Sequence, residues 1–206
     1  MSNRVGTGSS PTADEDHSLV LRCQRGDVDA FEELVVKYQK KMVNLAYRMT
    51  DNYHDACDIV QDAFIAAYRE IRGFQGKSRF VTWLSTITMN LARNRLKQVK
   101  TERLRQGFSL DAPVLMEDGE VRMEVAANTP SALEMLEKRD VQKIVQDCIN
   151  ALDDEFRAVV VLREMQGFAY DEISQMLQTA IGTVKSRLFR AREMLKNCLK
   201  GKLGAL

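Results

Sequence analysis

The sequence predicts an all-α protein built from two small helical domains joined by a flexible linker. Three observations carry this. Apolar residues recur at three- and four-residue steps in both halves of the chain, as one face of an amphipathic helix requires. The stretch 105–131 breaks that period with Gly107, Pro113, Gly119 and Pro130 and turns acidic. A structureless stretch of this length is unusual within one compact domain and ordinary as a tether. Finally, the length of 206 residues leaves room for two units of about 80 residues beside such a tether.

Element by element, the first domain spans 18–104 behind a disordered tail, 1–17. Phe31, Leu34, Val35, Tyr38, Met42, Leu45, Ala46 and Met49 form one stripe, with Asp29 and Glu32 as a capping pair at its start. After Asn52 a second helix carries Ile59, Val60, Ala63, Phe64, Ala67 and Ile71 on one face. GFQGKS at 73–78 interrupts it, because two glycines make a helix costly there. A basic helix then runs over 80–104.

In the second domain, 132–206, Val141, Ile144, Val145, Cys148, Ile149 and Leu152 mark the first helix. LDDEFRAVVVLREMQG gives the next, capped by Asp153 or Asp154 and stopped by Gly167. YDEISQML is a short third helix, the three-residue turn QTA follows, and IGTVKSRLFRAREMLKNCLK is the fourth.

Composition narrows the function classes. With 45% hydrophobic and 29% charged residues, the chain is neither collagen-like nor wholly disordered, and four cysteines do not make a disulfide scaffold. No apolar run approaches the roughly 20 residues that cross a bilayer, and the first 17 residues lack a signal-peptide core, so a soluble cytoplasmic protein is expected. Cys23, Cys57, Cys148 and Cys198 are scattered and His17 and His54 lie far apart, so no metal site is expected. Cys148, on an apolar stripe, reads as a small buried hydrophobe. Paired carboxylates, an activated nucleophile and a P-loop are absent, which points away from an enzyme and from any cofactor.

The net charge of +1 conceals strong segregation. Residues 63–105 hold 10 bases against 2 acids, residues 106–137 hold 1 against 7, and residues 183–206 hold 7 against 1. Two separate basic patches suggest two contacts with a polyanion.

The second patch has the outline of a helix-turn-helix, two short helices with the second one basic. At 100° per residue, Val184, Leu188, Ala191 and Leu195 face the core. Ser186, Phe189, Arg190 and Glu193 lie opposite, flanked by Thr183, Lys185 and Arg187. Arg190 can fork onto a guanine edge, worth roughly 1–3 kcal/mol of discrimination. Lys185, Arg187 and Arg192 suit phosphates. The first patch mixes Lys77, Arg79, Phe80 and Trp83 with Asn90, Arg93, Asn94, Arg95 and Lys97, the aromatic-and-basic combination that binds single strands. Phe80 and Trp83 fit equally well as core. Before it, Asp58, Gln61, Asp62 and Arg69 surround Ile65 on a polar helix edge that suits either a protein partner or solvent.

Two motifs in order now carry a resemblance. DIVQDAFIAAYREIRGFQGKSRFVTWLSTITMNLARNRL, residues 58–96, is similar to domain 2 of the group 4, or extracytoplasmic function (ECF), sigma factors of bacterial RNA polymerase. LDDEFRAVVVLREMQGFAYDEISQMLQTAIGTVKSRLFRAREML, residues 152–195, resembles their domain 4, with GTVKSRLFRAR at 182–192 the sharpest part. The likeness runs from about residue 18 to residue 200 and is nearest the envelope-stress class.

The resemblance implies that Asp58, Gln61, Asp62, Ile65 and Arg69 contact the clamp helices of core RNA polymerase. It implies that the 73–80 loop, with Lys77, Arg79, Phe80, Trp83, Asn90, Arg93, Asn94 and Lys97, captures the melted −10 non-template strand. It further implies that Thr183, Lys185, Ser186, Arg187, Phe189 and Arg190 read the −35 duplex, that the linker threads the polymerase cleft, and that an anti-sigma factor wedges between the domains. The departures are Gln178 where the family usually has glycine, Thr179 and Ala180 in the same turn, and Ser174. A left-handed Gln178 costs roughly 1 kcal/mol. The competing reading is a stand-alone helix-turn-helix regulator that binds duplex DNA without polymerase.

Overall fold

The computed structural model describes residues 15–105 and 132–204, all helical or in short turns. In the first half, α1 (His17–Gln24), α2 (Val28–Thr50), α3 (Tyr53–Glu70) and α4 (Phe80–Arg105) form a bundle. A 3-10 turn, Ile71–Gly73, follows α3. In the second half, α5 (Ala132–Asn150), α6 (Asp154–Val160), α7 (Tyr170–Met176) and α8 (Ile181–Leu203) form another, and α6 runs on as a π-helical turn, Val161–Met165. The acidic linker expected at 105–131 lies outside the described residues apart from Arg105, the last residue of α4.

Local chemistry sets the helix ends. Asp27, rather than Asp29, caps α2, its Oδ1 accepting from the Ala30 N–H at 3.1 Å. Glu32 lies two residues past Ala30, the position from which a capping partner would reach back to Asp27. Asn52 caps α3 through Asp55 N–H at 2.9 Å, and Asp153 stands at the α6 N-cap. Gly167 ends the π turn at φ +75, where only glycine is unstrained. Gln178, after α7, sits at φ 50 and so carries the left-handed strain that its place in the turn foretold.

The first bundle begins earlier than expected, at residue 16 instead of 18. Asp16 is 1% exposed and accepts from the Tyr38 hydroxyl and from Lys37 Nζ at 2.6 Å, so residues 16–24 belong to the first bundle. Burial and the Asp16 carboxylate push the Tyr38 hydroxyl well above its ordinary range.

Leu34, Met42, Leu45 and Met49 of α2 pack against Ile59, Val60 and Phe64 of α3 and Leu84 and Met89 of α4. That core continues without a break into Leu152, Val159, Leu162, Phe168 and Ile173 of the second bundle. The two halves therefore lie directly on one another. Arg157, almost fully buried, links them: its guanidinium donates to the carbonyl of Met49 at 2.7 Å and to those of Asn150 and Leu152 at 2.6 and 3.2 Å. Arg48 donates to Gln146 at 2.7 Å, and Gln166 to Asn44 at 3.3 Å.

Cys148 corrects the sequence reading. It is buried, but it is disulfide-bonded to Cys198 of α8 across 50 residues. Helical stripes show which face a cysteine lies on, not which distant cysteine meets it.

Candidate nucleic-acid interface

On α8 the periodicity argument holds through Ala191, whereas Leu195, also expected on the core face, is half-buried. Val184, Leu188 and Ala191 are buried, which turns Lys185, Ser186, Phe189 and Arg190 to solvent and leaves Thr183 and Arg187 half-buried. Phe189 is 69% exposed, an unusual place for a benzyl group in water. The Ser186 hydroxyl donates to the Thr183 carbonyl at 3.0 Å. Arg187 forms an ion pair with Glu155, Arg192 pairs with Glu164 at 2.6 Å, and Lys185 lies 5.7 Å from the Tyr170 ring centroid. Arg190 has no ion pair among the described residues, so its fork is available without breaking a contact.

The first basic patch is built on the loop after α3. Gln24 of α1 donates to the carbonyls of Ile71 at 3.1 Å and Phe74 at 2.8 Å, which pins the start of the loop to the bundle. Gly76 supplies a positive φ of 66, and Lys77 is exposed at the tip. Asn90, Asn94 and Lys97 are exposed on α4, with Arg93 half-buried beside them. Arg95 belongs to the fold, since it pairs with Asp55 of α3 at 2.8 Å.

The aromatic residues need a correction. Phe80 is fully buried, packed among Tyr38, Phe74 and Trp83 at centroid distances of 5.9, 6.3 and 5.8 Å. Its ring offers no face to a base and instead supports the loop from below. Trp83 is half-buried and stacks on Phe74 at 4.9 Å. Together with Arg69, Glu70 and Gly73 these two rings line a shallow surface depression.

On α3, Asp58, Gln61, Asp62, Ile65 and Arg69 are all exposed and lie opposite the buried face of Ala56, Ile59, Val60, Ala63 and Ala67. Ile65 at 41% and Tyr68 at 47% add apolar area to that polar edge.

Sequence reasoning missed Glu172. It sits in the first turn of α7, where its Oε2 accepts from Ala169 N–H at 2.9 Å. Its Oε1 accepts from Arg79 Nη2 and from the Thr82 hydroxyl, both at 2.8 Å. Burial opposes ionisation, but the Ala169 N–H, Arg79 and Thr82 outweigh it and hold the carboxyl below its usual range. Lys41, 5.2 Å from the Phe168 ring centroid, is pulled below the usual ammonium range by burial and by nearby Arg79. Glu172 had a visible signal as a capping residue, whereas its contact with Arg79 spans 93 residues and had none.

Among the described residues no group of three or more His, Cys, Asp or Glu could hold a metal ion, and no helix is long and apolar enough to cross a membrane.

Comparison with known proteins fits both patches. The family description "Sigma-70 region 2" matches residues 34–102 and "Sigma-70, region 4" matches residues 142–195. The RNA polymerase sigma-H factor of Pseudomonas aeruginosa is 38% identical over 92% of this chain and 96% of its own. The ECF RNA polymerase sigma-E factor of Haemophilus influenzae is 40% identical over 88% and 94%. Among solved structures, the sigma factor RpoE of Bartonella quintana, in complex with the anti-sigma factor NepR, aligns at a TM-score of 0.61 with 26% identity, covering 82% of this chain and 96% of that one. CnrH, in complex with the cytosolic domain of CnrY, shares the fold at a TM-score of 0.64 over 91% of this chain and 99% of that one, at 23% identity. With one patch in each matched region and relatives aligned over nearly the whole chain, this protein belongs to the ECF sigma factors of bacterial RNA polymerase.

Proposed function

We propose that this sigma factor binds core RNA polymerase through α3, reads the −35 duplex with α8, and captures the melted −10 non-template strand with the 73–79 loop and α4. Domain 2 then starts at residue 16, ahead of the expected 18, and runs to 104, and domain 4 spans 132–206. The observation that carries the reading is one chain bearing two differently built basic faces. One is a helix with an exposed Arg190–Phe189 row suited to a major groove; the other is a loop and helix rich in bases and amides. Asp58, Gln61, Asp62, Ile65 and Arg69 form the polymerase contact, a mixed acidic and apolar edge that DNA would repel.

Strand opening costs a few kcal/mol per unstacked step. Capture of displaced bases by Lys77, Arg79, Asn90, Arg93, Asn94 and Lys97 offsets it, with Trp83 offering the one partly exposed indole and Phe80 supporting the loop. On the duplex side, Thr183, Ser186, Phe189 and Arg190 face base edges, while Lys185 and Arg187 set position on phosphates. Neither module needs high affinity, because tethering through polymerase makes the second contact intramolecular.

The two elements lie 25 base pairs apart, about 85 Å at 3.4 Å per base pair. Here Glu172 of α7, the neighbour of α8, accepts from the Thr82 hydroxyl of α4 at 2.8 Å. With the two halves sharing one core, the domains must part before both faces can reach elements that far apart. An anti-sigma factor that favours the compact arrangement would hold the protein inactive, a reading supported by the RpoE relative, solved in complex with the anti-sigma factor NepR. A partner packed around the joined domains fits this arrangement, because a wedge between them would first have to part a continuous core.

A promoter library transcribed by polymerase with the wild type, Arg190→Ala and Asn90→Ala tests the assignment. Arg190→Ala is expected to relax preference at −35 positions only, and Asn90→Ala at −10 positions only. Loss of preference in the opposite element, or in both together, refutes it.

A further inference from the structure

We propose that Cys148 and Cys198 are a reversible oxidation site that sets how firmly the second half of the DNA-reading helix is fastened to its domain. Their Cα atoms are 5.8 Å apart, inside the range a disulfide spans without backbone movement. Sigma factors work on RNA polymerase, inside cells, where thiols are normally kept reduced and disulfides are mostly transient or sensing. A pair held at bonding distance in such a protein is therefore poised between two states.

The two sulfurs differ in access. Cys148 is 1% exposed, whereas Cys198 is half-buried at the surface of α8. Lys202, one turn further on, pairs at 3.0 Å with Asp147, the neighbour of Cys148. Cys198 is thus the attacking thiol and Cys148 the resolving one.

The oxidant is a small-molecule disulfide such as oxidised glutathione. The Cys198 thiolate attacks it, forming a mixed disulfide and releasing one glutathione thiolate. The Cys148 thiolate then attacks the Cys198 sulfur and expels the second. Two cysteine thiols are oxidised, one glutathione disulfide is reduced to two thiols, and the two cysteine protons end on those thiols.

The consequence is confined to one part of α8. Its first half is seated independently by Val184, Leu188 and Ala191 on α6 and α7. Its second half has Met194 42% exposed and Leu195 half-buried, and lies along α5. Without the bond, that half depends on the Lys202–Asp147 pair and limited apolar contact. Cys23 is buried and Cys57 is half-buried in the other domain, and both thiols are free, so they serve as internal controls.

The test equilibrates the full-length protein in glutathione buffers from reducing to oxidising. Alkylated thiols are counted, cross-linked peptides mapped, and backbone hydrogen exchange of residues 193–203 followed. We expect two of four thiols to be lost together with a 148–198 cross-link, and exchange of 193–203 to slow at least tenfold. Glutathione should restore both, and Cys198→Ser should abolish both. The reduced wild type, folded but unlinked, separates loss of the bond from loss of packing. Mixed disulfides without the internal link, a link that glutathione cannot reduce, or a link that leaves exchange unchanged would each overturn the proposal. None of these readouts involves promoter DNA, so failure here is distinguishable from failure of the promoter assignment.

Discussion

Replacing Glu172 with glutamine isolates one charged contact among those that join the two DNA-reading modules. The carboxylate holds Arg79 and Thr82 through one oxygen and caps Ala169 N–H through the other. Glutamine keeps one oxygen for the cap and turns its NH2 donor toward Arg79 and Thr82, so Arg79 loses its acceptor and the Thr82 hydroxyl is left with a neutral hydrogen bond in which it accepts. Arg79 is 46% exposed at its side chain, so its ion pair is worth at most about 1 kcal/mol. The Thr82 residue is only 3% exposed, and weakening its hydrogen bond from charged to neutral costs about 0.5–1 kcal/mol more. The sum, about 0.5–2 kcal/mol with a midpoint near 1.3, shifts the balance between packed and separated domains roughly tenfold. Fluorescence energy transfer between dyes at Val36 and Lys200, both exposed, would report it. The separated population should rise about tenfold, and free-protein affinity for a −10 single strand should rise with it. An unchanged distance distribution, with domain 4 melting as before, would refute the reasoning.

Other consequences follow from single residues. Gln178→Gly removes a left-handed non-glycine at φ 50 and should stabilise domain 4 by about 0.5–1 kcal/mol, a rise of several degrees in its melting temperature. Gln24→Ala leaves the Ile71 and Phe74 carbonyls without that donor, at a cost of about 1–2 kcal/mol locally. It should weaken −10 strand capture while −35 duplex binding stays the same, a split that gel-shift titration of each element would read. Glu172 has a folded pKa below its ordinary value, so the stability it adds is fully present above about pH 4.3 and is lost as pH falls through that lower value. Compaction measured by small-angle scattering should therefore hold from neutral pH down to that point and relax below it. In Glu172→Gln that acid step should vanish.

The helices were legible in the sequence because helical periodicity is local. The α8 stripe alone placed Phe189 and Arg190 outward, and Asn52 marked the start of α3. Family likeness added the expected glycine at Gln178, whose left-handed backbone was then a consequence of turn geometry. What stayed hidden is set by distance along the chain. Asp27 outcompeted Asp29 because only its oxygen reaches the Ala30 N–H. Phe80 carried the same letters whether it stacked on a base or supported the loop, and only packing against Tyr38, Phe74 and Trp83 decides. Arg157 looked like a charge in an apolar run, yet it serves carbonyls from both domains. The Cys148–Cys198 bond and the Glu172–Arg79 pair join residues 50 and 93 positions apart, beyond any periodic signal.

The central claim is that this chain confers promoter choice on a polymerase that lacks it. Run-off transcription from a promoter library, with purified core polymerase with and without the protein, tests that most directly. The account predicts specific initiation only when the protein is added, with coupled −35 and −10 preferences at a fixed spacing. Tight duplex binding by the protein alone, with no change in where polymerase starts, would contradict it.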